Sequence, residues 1–570
     1  MRTTISPGPS LWDKVQCPGL TPSAGEVLRL VKEIPRKAAA FHYKSSTGVV
    51  WVVFIGGTGT GKSTLFNAIC GKHLSETGVE RPKTYGPIAY VHRDALIEKG
   101  FPFDSMEIRR VRQGPAGAAA STGSAGRLLI AEHSREDLAH LVLVDTPDLD
   151  SLELQNRRMV EELYLLAHVV VFVTSQEKYA DDVPFQFLGR IRKDAKSYFL
   201  LLNKAQEDSI PGDVLAVFRE QGVELSGDRF HVLPYLRSDI SAKILEEPGF
   251  SEFRRVFFQA LSRQNGLNLL REERKRDREK GKEEFRLLLD HLKNERLAAQ
   301  GWLDRLDVFF RSACRVLHEK QEEHLNEETR AYLQRQVRDT FAEYDLLRKP
   351  RRFISDIIRM PLRFLGIVGE RAQESREEAL ARIRGRIDLL PIHAAIENFN
   401  RSVLEKLSPA DPTAPLFEHL RAEGVALTDE EIGKAVEEEQ DELVGWLERT
   451  FQDLARGIPK SKEWGIYSTS ILWGGLILAL ETAIGGGISI MEAVLDSAIA
   501  PFVTKGAVEL FAYRELQKIA RELGKRYQEG LISVVRRQKE RYAGCLESLM
   551  TSDETIQGLR NLEKDLWGDS

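Results

Sequence analysis

At 570 residues, with 42% hydrophobic and 29% charged side chains, the chain has the make-up of a water-soluble globular protein with ample core. A working figure of about 150 residues per domain suggests three or four domains. Its 81 basic against 86 acidic residues leave a net charge of −5, which excludes bulk electrostatic attraction to any partner and leaves that role to local basic clusters.

The opening MRTTISPGPSLWDKVQCPG is polar and rich in Pro and Gly, and reads as a loose leader with no signal peptide. Cys17, Cys70, Cys314 and Cys545 lie far apart, without CxxC or a Cys/His metal spacing, so the expected compartment is the cytosol, with reduced thiols. Residues 24–40 carry Val27, Leu28, Leu30, Val31 and Ile34 at helical spacing, and Pro35 is expected to interrupt that helix.

The next stretch, WVVFIGGTGTGKSTLFNAICG from Trp51 to Gly71, is the one that carries chemistry. An apolar strand-like run feeds GGTGTGKS, and a helical pattern follows, which is the G-x-x-x-x-G-K-[ST] phosphate-binding loop in its proper setting. Gly56, Gly59 and Gly61 let the backbone turn with no Cβ in the way, so that successive N–H groups of Gly57, Thr58, Gly59, Thr60 and Gly61 surround a phosphate. Lys62 puts a point charge on the β- and γ-phosphates, and Ser63 ligates Mg²⁺. Both Ser63 and Thr64 open a helix whose positive end faces the anion. The chain is therefore expected to bind a nucleoside triphosphate.

From about Val49 to Phe257 strand and helix patterns alternate, which implies a mixed or parallel sheet covered on both faces. Strands are expected at Val49–Ile55, Ile88–Val91, Ile108–Val111, Leu128–Ala131, Leu141–Val144, Val169–Val173, Tyr198–Leu202 and Phe230–Leu233. The small-residue run Gly114 to Gly126 reads as a loop. In LVLVDTPDLD a strand ends in Asp145, where a carboxylate can reach the Mg²⁺ shell. Its Asp-Thr-Pro-Asp resembles the D-x-x-G element of regulatory GTPases, with Asp148 in the glycine's place. In YFLLLNKAQED, Asn203-Lys204 resembles the start of the guanine-reading N/T-K-x-D motif, with Gln206 at its fourth position. An amide has one carbonyl and a donor beside it, so it cannot accept two guanine hydrogens as a carboxylate does. Asp208 is the substitute on offer, and a relaxed or adenine-binding site stays open as the alternative. Between these motifs, Arg-Pro-Lys-Thr offers Thr84 as the residue that closes on Mg²⁺, and Arg81 or Lys83 as a cation for transition-state charge.

Together GGTGTGKS, RPKT, DTPD and NKAQ resemble the translation-factor-related (TRAFAC) P-loop GTPases, and within them the bacterial dynamin-like and Era-like groups. The resemblance covers about residues 45–260. It implies GTP as substrate, Mg²⁺ held by Ser63, Thr84 and Asp145, and catalytic roles for Lys62, Thr84 and Arg81. It assigns nucleotide contacts to residues 57–64, Asp145, Asp148, Asn203, Lys204 and Asp208. Dynamins carry Ser and Era-type proteins Asn where Gly59 stands, so the potassium-assisted hydrolysis of those relatives is not implied. In the dynamin-like group a helix ahead of the G domain packs with helices from the chain's end, a role open to residues 24–40 and 514–542.

After about Leu261 strand signals stop, and residues 265–460 are helical in pattern. Arg271–Glu284 mixes seven basic with six acidic residues, a solvated helix surface rather than a nucleic-acid arm. Two later stretches are candidates for lipid. In 348–368, Arg348, Arg352, Arg359 and Arg363 fall within a sector of roughly 60° of a helix, opposite a wide apolar face. That suits either an anionic membrane surface or a bundle core. In 464–511, 17 uncharged residues from Trp464 to Leu480 are followed by Glu481 and a triple glycine, then by an arm with Glu492 and Asp496. A spanning helix wants about 20 apolar residues, so the choice lies between a buried hairpin and one that inserts conditionally.

The expected organisation is a leader and amphipathic helix over 1–44, a GTPase domain over 45–260, and a helical stalk over 261–460. An apolar glycine-rich hairpin over 461–512 and C-terminal helices over 513–570 complete it. A G domain with a long helical stalk looks more like a dynamin-like protein, which implies self-association through G domain or stalk, coiled-coil pairing, and a place in the cytoplasm or at the inner face of the membrane. Two rivals stay open: an Era-like factor on ribosomal RNA, and a nucleotide-gated scaffold with little hydrolysis. No DNA partner is expected.

Overall fold

The computed structural model describes residues 10–76, 86–111, 126–151, 153–175, 182–206, 228–236, 240–323, 389–457 and 507–568, with a few positions between 216 and 222. The chain forms two compact units. Residues 1–14, 28–290 and 553–570 make the first, and residues 15–27 and 291–552 the second. In chain order the helices and strands begin with α1 (Ala24–Thr47), β1 (Val50–Gly56), α2 (Lys62–Cys70), β2 (Ile88–His92), β3 (Glu107–Val111), β4 (Arg127–His133) and β5 (Leu141–Asp145). There follow α3 (Leu154–Leu166), β6 (Val169–Ser175), α4 (Asp182–Lys193), β7 (Ser197–Ala205), β8 (Phe230–Pro234), α5 (Ile240–Glu246), α6 (Pro248–Ala260) and α7 (Arg263–Glu323). The last are α8 (Leu390–Lys406), α9 (Pro415–His419), α10 (Asp429–Gly457), α11 (Ala507–Glu547) and α12 (Asp553–Trp567).

In the first unit the eight strands form one sheet in the order β3-β4-β2-β5-β1-β6-β7-β8. Neighbours are parallel except β2 with β5, which run antiparallel. All eight lie where the sequence places them, with ends moved by a few residues. β1, β5 and β6 are buried along their whole length, as Val- and Leu-rich strands covered on both faces must be. Side-chain alternation along β1 divides the core in two. Trp51, Val53 and Ile55 join Tyr43 of α1, Tyr164 of α3 and Phe187 of α4. Val50, Val52 and Phe54 join Phe66 of α2 and Phe253 and Phe257 of α6. Each such side chain contributes roughly 1.5–3 kcal/mol by leaving water.

Pro35 does not break α1, which runs unbroken from Ala24 to Thr47. A proline removes one helical hydrogen bond, but Leu30, Ile34, Ala38 and Phe41 are buried before and after it, and that packing outweighs the lost bond. Against α1 in this unit lie the first part of α7 and α12. Buried Lys44 pairs with Asp277, and Lys37 with Glu284 at 2.8 Å. The Phe41 ring stands 4.9 Å from that of Trp567. Gly281 makes room for the indole, since a Cβ there would come within 2.5 Å of it. The helix from the chain's end that meets α1 here is thus α12; residues 514–542 belong to the second unit.

The second unit has its own core, built by α8, α10, α11 and the later part of α7 around Trp302, Phe399 and Tyr542. Trp302 Nε1 donates to the Leu407 carbonyl at 2.8 Å. Residues 407–414, with Pro409 and Pro412, connect α8 to α9, which Pro415 opens. Residues 15–19, expected to end a loose leader, are anchored together with Leu20 and Thr21. The Glu295 carboxylate accepts from the Leu20 N–H at 3.0 Å and from the Thr21 N–H at 2.7 Å. Thr551 Oγ1 both accepts from the Gln16 N–H and donates to its carbonyl. Gly19, at φ 85, lies against Ala414, where a Cβ would come within 2.6 Å. Polar, Pro/Gly-rich sequence carries no periodic signal, and here long-range hydrogen bonds supply the order.

The expected loop 114–126, apart from Gly126, the stretch 348–368 and residues 464–506 lie outside the described residues; 507–511 begin α11. Among the described residues no helix is long and apolar enough to cross a membrane.

Candidate functional site

The site is assembled at the end of β1. Gly56 closes the strand where a Cβ would meet the Val173 carbonyl of β6 at 2.3 Å, so only glycine permits that approach. The chain then turns through Gly57, Thr58, Gly59 and Thr60, with Gly59 at φ 74 and Gly61 at φ 88, and α2 starts at Lys62. Thr60 is buried and its Oγ1 donates to the Gly57 carbonyl at 2.9 Å, closing the turn on itself. Ser63 and Thr64 occupy the first turn of α2, whose unpaired N–H groups and dipole favour an anion.

Asp145 ends β5 and pairs in register with Phe54 of β1. Thr146 Oγ1 donates to the Phe54 carbonyl at 2.8 Å, and the Leu149 N–H donates to the Gly56 carbonyl at 3.2 Å. The acidic turn is therefore tied to the strand that carries the loop. Lys62 is 3% exposed, with its Nζ 3.5 Å from Asp145 and 3.4 Å from Asp148. Burial opposes its charge, but the two carboxylates outweigh that and hold its pKa above the usual lysine value. Both carboxylate oxygens of Asp145 are fully buried and have no hydrogen-bond partner. Lys62, at the long end of ion-pair range and shared with Asp148, offsets only part of that burial, so a second cation would lower its cost further. With the Ser63 hydroxyl close in sequence to Lys62, Asp145 supplies the hard oxygen donors that suit Mg²⁺.

The segment expected to read the base arrives from the other side. β7 continues past Leu202 to Ala205, with a register irregularity between those residues and Lys204 at φ 57. This local twist aims Asn203 and Lys204 at the loop. Asn203 Nδ2 donates to the Thr60 carbonyl and Lys204 Nζ to the Gly59 carbonyl, each at 2.8 Å. A Cβ on Gly61 would lie 2.3 Å from Asn203 Nδ2. Nearby, the Tyr235 N–H donates to the Ala205 carbonyl at 2.9 Å, which brings the residues after β8 to this rim.

The structure thus gathers Gly57, Thr58, Gly59, Thr60, Gly61, Lys62, Ser63, Thr64, Asp145, Asp148, Asn203 and Lys204 around one loop. Arg81, Thr84 and Asp208 lie outside the described residues. Asp150 is a member that reading by motif misses. Its Oδ1 accepts from the Thr58 N–H at 2.8 Å and from Thr58 Oγ1 at 2.5 Å. Nothing in the local pattern marks it apart from the acid repeated two residues after Asp148.

One family model agrees with this geometry. A family described as 50S ribosome-binding GTPase matches residues 51–204. An uncharacterised protein from Caldicellulosiruptor sp. (strain Rt8B.4), from the xynA 3′ region, is 26% identical over 185 residues. That match takes in 30% of this chain, and the chain spans only 44% of the relative's length. Among solved structures, an oligomerised bacterial dynamin pair described in terms of long-range sensing and tethering of membranes covers 99% of this chain and 93% of its own, at 15% identity and a TM-score of 0.40. Era in complex with MgGDPNP and nucleotides of 16S ribosomal RNA covers 37% of this chain and 57% of its own, at 14% identity and a TM-score of 0.23. Such scores are too low to carry anything from those two proteins to this one.

Proposed function

With a GTPase domain of the translation-factor-related P-loop class over residues 51–204, we propose that the chain binds GTP with Mg²⁺ and hydrolyses it, as a large dynamin-like GTPase. The observation that carries the proposal is buried Lys62 beside the buried, hydrogen-bond-orphaned carboxylate of Asp145 at the mouth of a glycine-turned loop. Lys62, the loop N–H groups and the start of α2 bind and orient the β- and γ-phosphates. Ser63 and Asp145, with Thr84, would hold Mg²⁺, whose charge would offset that developing on the phosphoryl oxygens. Arg81 is the proposed cation for transition-state charge. Asn203 and Lys204 fix the loop from below and, with Asp208, meet the base.

Phosphate release from GTP with Mg²⁺ tests this directly. Wild type should turn over, and Lys62→Ala should lose roughly a hundredfold or more of that rate. Equal release by the two would sink the enzymatic reading and leave a nucleotide-gated scaffold. ATP added as competitor should displace GTP poorly; equal competition would mean that Gln206 has relaxed base choice.

The larger part of the proposal is that nucleotide state drives rearrangement of the helical stalk, at a membrane or in self-assembly. It is supported by the amount of helix: the chain leaves the α/β unit through α7, a single helix of 61 residues, and continues in a unit with a helical core. Segments 348–368 and 464–511 are the proposed lipid contacts. Co-sedimentation with anionic liposomes should depend on GTP, and no pelleting with or without nucleotide would end this version. The ribosomal description of the matched family favours the Era-like alternative, for which salt-sensitive binding to ribosomal RNA is the corresponding measurement.

A further inference from the structure

The acidic turn after β5 does more than end in a metal-type carboxylate. Asp148, which stands 3.4 Å from Lys62 Nζ, is paired with the same ammonium group that a β- or γ-phosphate needs. Asp150 takes the N–H and the hydroxyl of Thr58 within the phosphate loop itself. The Leu149 N–H, bound to the Gly56 carbonyl, pins the turn between the two. Two of the loop's anion-binding groups, one ammonium and one amide, are thus already satisfied by carboxylates of this chain.

We propose that Asp148 sets the choice between nucleoside diphosphate and triphosphate here. Its carboxylate is an internal anion standing on Lys62 where the terminal phosphate would bind. This rests on the reading of the site as a GTP site and deepens it. A diphosphate leaves Asp148 a share of Lys62. A triphosphate brings a second anion to the same ammonium, and like charges at such separations repel strongly where water is scarce. The triphosphate therefore enters by exchange: Asp148 must leave Lys62 as the γ-phosphate arrives, and the bonds from Thr58 to Asp150 and from Leu149 to Gly56 resist that departure. Asp148 is the specificity-determining residue, and Asp150 the positioning residue that holds it down. Both lie on one turn, so release of one favours release of the other.

The test is equilibrium binding of fluorescent GDP and of a fluorescent non-hydrolysable GTP analogue, with Mg²⁺. It uses the full-length chain and the variants Asp148→Asn, Asp148→Gly, Asp148→Glu, Asp150→Asn and Lys62→Ala. Removing the charge in Asp148→Asn should tighten the triphosphate by roughly tenfold while changing the diphosphate by less than about threefold. Asp148→Gly guards against a fault peculiar to Asn and should move the ratio in the same direction. Asp150→Asn should give a smaller shift of that sign. Asp148→Glu keeps the charge and should keep the wild-type ratio, which a merely structural role for Asp148 would not require. A ratio unchanged in both Asp148→Asn and Asp148→Gly, or a triphosphate bound more weakly, overturns the proposal. If those variants leave the ratio alone while Lys62→Ala loses binding, the GTP site stands and only this inference falls. If Lys62→Ala binds as wild type does, the site reading fails and takes this inference with it.

Discussion

The left-handed backbone at Gly61, φ 88, is demanded by two neighbours at once. The chain must turn there to start α2 at Lys62, and the Asn203 amide fills the space a side chain would need. Gly61→Ala should therefore cost roughly 1–3 kcal/mol in backbone strain and push Asn203 off the Thr60 carbonyl. Thermal unfolding should show the loss of stability, and nucleotide titration a loss of affinity. A variant with wild-type midpoint and binding would show that the turn is not held as described. At this scale the positions of Lys62 and Ser63 at the head of α2 and of Asp145 at the end of β5 were legible in the sequence, because a glycine-rich turn before a helix and a strand-end acid are short-range patterns. Asp150 and the second role of Asn203 were not. Their partners lie 92 and 143 residues away, and no local spacing records such a pair.

Between elements, the informative contact in the first unit is the buried pair Lys44–Asp277, joining α1 to α7. Burial opposes the charge on Asp277, but Lys44 and Lys196 overcome it and bring its pKa down to about 2. A carboxyl whose folded pKa lies below its unfolded value stabilises fully above the unfolded value, near 4, and that stability is lost as the pH falls toward the folded pKa. The pair should add about 2 kcal/mol at neutral pH and nothing much below pH 2. Unfolding midpoints for wild type and Asp277→Asn should hence differ from pH 5 upward and converge between about pH 4 and 2. A difference that persists undiminished at pH 2 would assign the effect to packing. Arg271–Glu284 had read as a solvated helix surface; the helix carries that charge mixture, yet Asp277 and Glu273 are turned inward on Lys44 and Lys196. Pattern alone cannot tell which charges of a mixed run face a neighbour.

For the molecule as a whole, each of the two units has a core of its own. Trp302, fully buried in the helical unit and bonded to Leu407, is a single residue on which that core can be tested. Trp302→Ala should cost about 3–5 kcal/mol of stability. An unfolding midpoint left unchanged would show that the indole does not anchor the core.

Read from the residues alone, the chain was expected to hold an α/β P-loop domain followed by helices, and the fold has that order. Eight strands fell where short apolar runs put them, because strands covered on both faces, as β1, β5 and β6 are, must be apolar along their whole length. Only the tertiary structure decided that β2 runs against β5, that Pro35 is carried inside an unbroken helix, and that residues 15–21 are tied down by Glu295 and Thr551. It also decided that Asp148 and Asp150 close on the phosphate loop. Each of these depends on what lies across a gap of many residues in the chain. Periodicity reports how a segment divides apolar from polar, whereas a hydrogen bond or an ion pair depends on which partner the fold brings within reach.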